Sequence, residues 1–242
     1  MANTIRWYDE KWNTLAAIAI GTDSLIEGVH MDGDGDYWIV DQTTDKVECY
    51  RLENGAFTMV KQYSITGYND PWGITGDEGK LYIGVTKTEG FPLVSNIKII
   101  CMEKDTGAIT KEFQAVSTNA SLTTGRDLTF DRMNLIYARS VTTTPITRYI
   151  DTIDISSDKV VHTTANLARV VESIAFDGMN IRCTALVSGS SRGNTLGRDG
   201  TFLGPGTVAL PQISYGMTFV SNKKGLPIDY YEGQTVAVAH RA

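Results

Sequence analysis

One short pattern returns five times along this chain, and a repeat of that kind limits the possible folds more than any single motif does. Each copy has an alternating apolar stretch, an Asp-containing turn and a second apolar stretch. The copies are Gly28–Ile39, Gly73–Ile83, Asp127–Tyr137, Ser173–Ile181 and a weaker Gly216–Val220, with starts 43 to 54 residues apart. A second pattern follows the first. Cys49–Phe57 and Cys101–Ile109 both read as a strand, an Asn-Gly or Asp-Thr-Gly turn and a returning strand, which is a hairpin signature. Ile153–Val160 is a third copy, and 49, 101 and 153 are spaced evenly by 52. That spacing sets Cys49 and Cys101 at one repeat position, filled by Ile153 in the third copy.

Two hairpins in every period of about 45 residues make one four-stranded blade. The expected fold is therefore all-β: a single domain over residues 1–242, a β-propeller of five four-stranded blades. No helical period persists for ten residues. Asn13–Ile20 has some helix propensity but reads better as a strand. The last repeat, from Gly216, has room for about three strands ending near Thr235–Ala239. Residues 1–20 are expected to supply the missing outer strand, closing the ring and removing an open edge.

The apolar–Asp–Gly–apolar–Tyr rhythm of these copies resembles the blades of NHL, SMP-30-like and lactonase-like propellers. Length and blade count are similar to the five-bladed tachylectin type, whose blades are near-identical where these are not. The Thr-, Gly- and Asn-rich style resembles the propellers of bacteriophage tail and nozzle proteins.

Formal net charge is −6 and no Lys/Arg-rich run occurs, which argues against nucleic acid as a partner. No apolar stretch approaches the length of a membrane span. The opening residues lack a charged-then-apolar signal, so synthesis in the cytoplasm is expected. The three cysteines, Cys49, Cys101 and Cys183, have neither disulfide nor CxxC spacing and read as small core residues.

Asp32-Gly33-Asp34-Gly35-Asp36 places oxygens on alternate residues like the start of a calcium loop, but Tyr37 and Thr43 stand where an EF-hand needs Gly and Glu. A plain turn is the stronger reading, with Asp32, Asp34 and Asp36 as a weak metal candidate. Gly189-Ser190-Ser191-Arg192-Gly193 matches G-x-S-x-G, but it sits in a polar, glycine-rich stretch with no helix after it. It reads as a hairpin loop. His30, Arg126, Asp127, Glu172, Ser173 and Gly73 lie on the innermost strands. A lactonase-like channel metal would need more acids there than Asp127 and Glu172.

The function expected is binding without catalysis and without a cofactor, by a module working among other protein subunits of an assembly such as a virion. Carbohydrate recognition by a lectin-like propeller is the alternative, and a lactonase- or hydrolase-like propeller comes third. The candidate contacts are Trp72, Phe91, Arg192 and Arg198. They lie in or near the irregular-looking stretches Thr86–Asn96, Val116–Gly125 and Ser188–Gly200, where blade rims collect variation and function.

Overall fold

The computed structural model describes residues 3–9, 11–20, 25–90, 94–119, 123–142, 144–204, 209–210, 214–219 and 236–240; those at 116–119, 214–215, 219, 236 and 239–240 are described by backbone alone. All regular structure among them is β. The chain opens with β1 (Thr4–Tyr8) and β2 (Thr14–Ala19). Blade 1 is β3 (Ile26–Met31), β4 (Tyr37–Asp41), β5 (Lys46–Glu53) and β6 (Ala56–Ser64). Blade 2 is β7 (Asn69–Gly76), β8 (Lys80–Glu89), β9 (Val94–Glu103) and β10 (Ile109–Asn119). Blade 3 is β11 (Thr123–Phe130), β12 (Asn134–Val141), β13 (Thr147–Asp154) and β14 (Lys159–Thr163). Blade 4 has β15 (Val170–Phe176), β16 (Ile181–Val187) and β17 (Ser190–Leu196), and blade 5 begins with β18 (Ser214–Phe219) and β19 (Val236–His240).

Every blade is an antiparallel meander, and the innermost strands β3, β7, β11, β15 and β18 touch in a ring. On the outer edge of blade 4, Phe202 bridges Leu196 and Ala209 bridges Arg192. This segment takes the fourth place there. Blade 5 closes the ring in the order β18-β19-β1-β2, with Thr4 opposite His240 and Tyr8 opposite Val236. The expected closure by the N-terminus holds, with a correction in number. The N-terminal segment gives two strands, the third and the outermost, because β18 and β19 are the C-terminal strands of that sheet among the described residues.

Five hydrophobic clusters fill the five spaces between blades. Strand alternation sorts the side chains between them. On β8, Leu81, Ile83 and Val85 face blade 1, while Tyr82 faces blade 3. Both faces are covered, so such strands read as continuous apolar runs. Cys49, Cys101 and Cys183 are all buried and unpaired. Cys49 stands opposite Trp38 and Cys101 opposite Tyr82, whereas in blade 3 the equivalent pairing is Ile136 with Thr152. Thr152, not Ile153, is therefore the third member. Ile153 sits one residue on and packs toward blade 2.

Candidate functional site

The inner strands run from one face of the disc to the other, and each carries a β-bulge part-way along. Just past the bulge come Gly28, Gly73, Asp127, Ser173 and Gly216, one per blade. Here the strands pinch together. A Cβ on Gly216 would stand 2.4 Å from the Gly28 Cα, and one on Gly28 would stand 2.9 Å from the Gly73 Cα. Only glycine permits backbones to approach this closely.

Asp127 takes the space those glycines leave. It is 0% exposed, and its carboxylate accepts N–H bonds from Leu128 (2.9 Å), from Ile174 of blade 4 (2.9 Å) and from Met217 of blade 5 (3.2 Å). Burial pushes its carboxyl well above the usual carboxylate range, against the pull of these three donors. A single side chain thus ties three blades at the axis. Glu172 is not its counterpart: it occupies the bulge position, equivalent to Arg126, and accepts a hydrogen bond from Ser191.

Beyond this neck, on the face carrying the turns between first and second strands, lies an open depression of about 1270 Å3. Its floor is set by the residues two places after the neck: His30, Thr75, Thr129 and Thr218. Two of the threonines clamp neighbouring blades, Thr218 accepting from Met31 N–H (3.1 Å) and Thr129 from Phe176 N–H (3.0 Å). The Nε2 of His30 is buried and has no hydrogen-bond partner among the described residues. Burial, with Lys104 nearby, lowers its pKa to about 3, so the imidazole is neutral.

The walls are the repeated acidic turns. In each, one carboxylate oxygen accepts backbone N–H groups of its own turn: Asp32 from Asp34 and Asp36, Asp77 from Gly79 and Lys80, Asp131 from Met133 and Asn134, Asp177 from Met179 and Asn180. This is the Asx-turn chemistry that made the repeat visible. The second oxygen takes a donor from outside the turn. Asp32 meets the Trp38 indole (2.8 Å) and Lys104 (3.4 Å), Asp131 meets Arg198 (3.0 Å), and Asp177 meets Arg182 (3.3 Å). Asp36 is held by both nitrogens of a forked pair with Arg51 (2.7 and 2.8 Å), while Asp34 stays exposed. Asp32, Asp34 and Asp36 therefore do not converge. Among the described residues no three His, Cys, Asp or Glu side chains group in a way that could hold a metal ion.

Of the contacts proposed from sequence, one reaches this depression. Arg198 lies in its lining, bonded to Asp131 and with its guanidinium 4.5 Å from the Phe176 ring centre. Arg192 is on β17, paired with Ala185 and bridged to Ala209, away from it. Phe91 falls outside the described residues. Trp72 does not stand on a rim: it is 7% exposed, donates its indole N–H to the Val85 carbonyl (3.2 Å), and lies in a slot between Gly84 and Gly125, where a Cβ would come within 2.5 Å of the ring. Trp7, Trp12 and Trp38 are buried as well.

Two stretches read as irregular are largely strand. Ser190–Leu196 is β17, with Ser191 buried, and Val116–Gly125 is mostly the end of β10 and the start of β11. Thr86–Asn96 likewise joins β8 to β9, with 91–93 outside the described residues. The sequence reading passed over Met133 and Met179. They are the most exposed of the large apolar side chains described, at 71% and 74%, and occupy the same place in the turns of adjacent blades. Their identical setting, Asp-x-Met-Asn, was the available signal.

No family model matches the chain, and no curated protein does. Solved propellers do. The glutaminyl cyclase of Myxococcus xanthus shares 13% identity with it at a TM-score of 0.58, over 99% of this chain and 96% of that one. The WD40 domain of Neurospora crassa Pan2 matches at 10% identity and TM-score 0.49, over 86% of this chain, which spans 59% of that chain's length. The Dos1 propeller matches at 8% and 0.48, over 98% and 73%. At such identities the shared property is the fold.

Proposed function

We propose that the chain is a non-enzymatic interaction propeller that binds other protein subunits of an assembly through the face bearing the axial depression. The observation that carries this reading is the depression itself. It is concave, framed by rigid turns, and closed below by packed backbone. The acids in its walls are occupied in holding those turns, and most also bind an indole, a lysine or an arginine, so they serve as architecture with a binding surface above it. Arg198 adds a long donor at the wall. A bacteriophage tail is the assembly to which the Thr-, Gly- and Asn-rich sequence points, on resemblance of style alone. A lectin-like reading needs an exposed aromatic for a sugar to stack on, and the candidate aromatic Trp72, 7% exposed, offers none.

Cross-linking and mass spectrometry on the protein purified with its natural partners test this. Links are expected at Lys11, Lys80 and Lys159, which lie at turns of the depression face. Links confined to Lys46 on the opposite face would overturn the reading. So would turnover of a lactone, a phosphoester or a glutaminyl peptide by the purified chain.

A further inference from the structure

We propose that the axial depression seats an amphipathic, basic segment of a partner protein, whose apolar side chains lie on Met133 and Met179 and whose lysines or arginines face the turns of blades 1 and 2. This rests on the interaction reading above and names the partner's chemistry.

The two sides of the depression differ. On the side of blades 3 and 4, Met133 and Met179 stand 71% and 74% exposed, with Phe130 and Phe176 partly buried in the wall beneath. These exposed thioethers stand at the same turn position of adjacent blades, each next to a lining residue (Arg132 and Gly178), and give the depression an adaptable apolar rim. The acids on this side are already matched, Asp131 by Arg198 at 3.0 Å and Asp177 by Arg182 at 3.3 Å. On the side of blades 1 and 2, Asp32 pairs with Lys104, Asp36 with Arg51, and Asp77 accepts from the Tyr82 hydroxyl (3.3 Å), while Asp34 and Glu78 are exposed and in no ion pair among the described residues. Unmatched negative charge thus collects opposite the apolar side.

A partner that satisfies both must present apolar and cationic groups together. An acidic partner meets Asp34, Asp77 and Glu78 as like charges, and the net charge of −6 repels it at longer range. The size agrees with a polypeptide segment, since about 1270 Å3 exceeds the roughly 300–1,000 Å3 of small-ligand pockets.

The test uses the whole chain and two fluorescent peptides, one of alternating leucine and lysine, the other of alternating leucine and glutamate. Extended, each places leucine on one face and charge on the other. Anisotropy should show the leucine–lysine peptide binding and the leucine–glutamate peptide not binding. Met133→Ser with Met179→Ser leaves the charge unchanged and should weaken binding at least about tenfold, since it removes the part of two apolar side chains that a peptide lying on the rim would cover. Asp34→Asn with Glu78→Gln should weaken it several-fold and flatten its dependence on salt. Val160→Ser with Val161→Ser, which alters the exposed outer edge of blade 3 (43% and 58% exposed), should change nothing. The proposal is overturned if the leucine–lysine peptide does not bind, if the methionine pair has no effect, or if the valine pair has as much. Should the peptide fail while natural cross-links still fall on Lys11, Lys80 and Lys159, only the partner class is wrong. Cross-links that avoid those lysines would sink the interaction face itself.

Discussion

Replacing Asp127 with alanine should loosen the propeller at its axis more than any other single truncation of a polar side chain. Three backbone N–H groups from three blades end on this carboxylate at 2.9, 2.9 and 3.2 Å. Alanine leaves all three without their acceptor, and the glycine-lined neck has little room for water. Each orphaned buried donor costs about 1–3 kcal/mol, a gross loss of about 3–9. Part is recovered because a fully buried carboxyl no longer has to be kept from water, and a net loss of about 3–5 kcal/mol is expected. For a chain of this size that lowers Tm by about 6–20 °C. Asp127→Asn keeps one oxygen, which can still serve Ile174 and Met217, so only the Leu128 donor is lost and about 1–3 kcal/mol is expected. Urea unfolding followed by tryptophan fluorescence reads this directly, because Trp7, Trp12, Trp38 and Trp72 are all buried between blades. An alanine variant within about 1 kcal/mol of the parent, or an asparagine variant less stable than alanine, would refute the latch.

Trp72→Ala should cost about 3–5 kcal/mol of stability, seen as a lower urea midpoint, because the slot between Gly84 and Gly125 would stand empty. Burial pushes Glu112 up, but hydrogen bonds from Lys87, Lys98 and Tyr68 hold it down to about 2. Its contribution is therefore present above pH 4.5 and lost as pH falls toward 2, and Glu112→Gln should flatten that acid limb of a stability–pH curve. The same variant should cost about 1–3 kcal/mol at pH 7, because Lys98, 3% exposed, would lose its ion pair with Glu112 (3.1 Å) and keep the one with Glu89 (3.4 Å). His30 works in the same sense through a different proton: buried neutral with a pKa near 3, it costs stability as pH drops below the unfolded value near 6.5, and calorimetry on His30→Gln should show a shallower loss between pH 6.5 and 3. Removing residues 1–20 takes away β1 and β2 and exposes β19 as an open edge. Size-exclusion chromatography should show aggregates or no folded product; a monomer with unchanged Tm would contradict the ring closure.

Much of this fold could be read from the chain because its information is local. An Asp whose carboxylate caps its own turn, flanked by alternating apolar residues, marks a hairpin wherever it stands, and its recurrence marked the blades. The same reading slipped by one residue at Ile153, where Thr152 is the true equivalent of Cys49 and Cys101, because one residue reverses the face. It also took Ser188–Gly200 for a loop. In β17 Ser191 and Asn194 are buried with their polar groups bonded, Ser191 to Glu172 and Asn194 to Arg169 and the Arg192 carbonyl, so polar residues there do not exclude a strand. The site was less legible. Arg198 reaches the wall of the depression, but Trp72 turned inward, and the two methionines were unremarked, because exposure is a property of the assembled disc.

By itself, then, the sequence determined the unit: its period, its turns and the pairing of strands within each blade, all fixed by interactions between residues close in the chain. The tertiary structure decided what five such units do when they meet. Gly28, Gly73 and Gly216 lie far apart along the chain, yet together they set the width of the neck. Asp127 gains its role only because blades 4 and 5 bring Ile174 and Met217 to its carboxylate. Met133 and Met179 stand on the same rim only because their blades are neighbours. Local physical chemistry builds a blade, but which side chains share an axis depends on closing the ring.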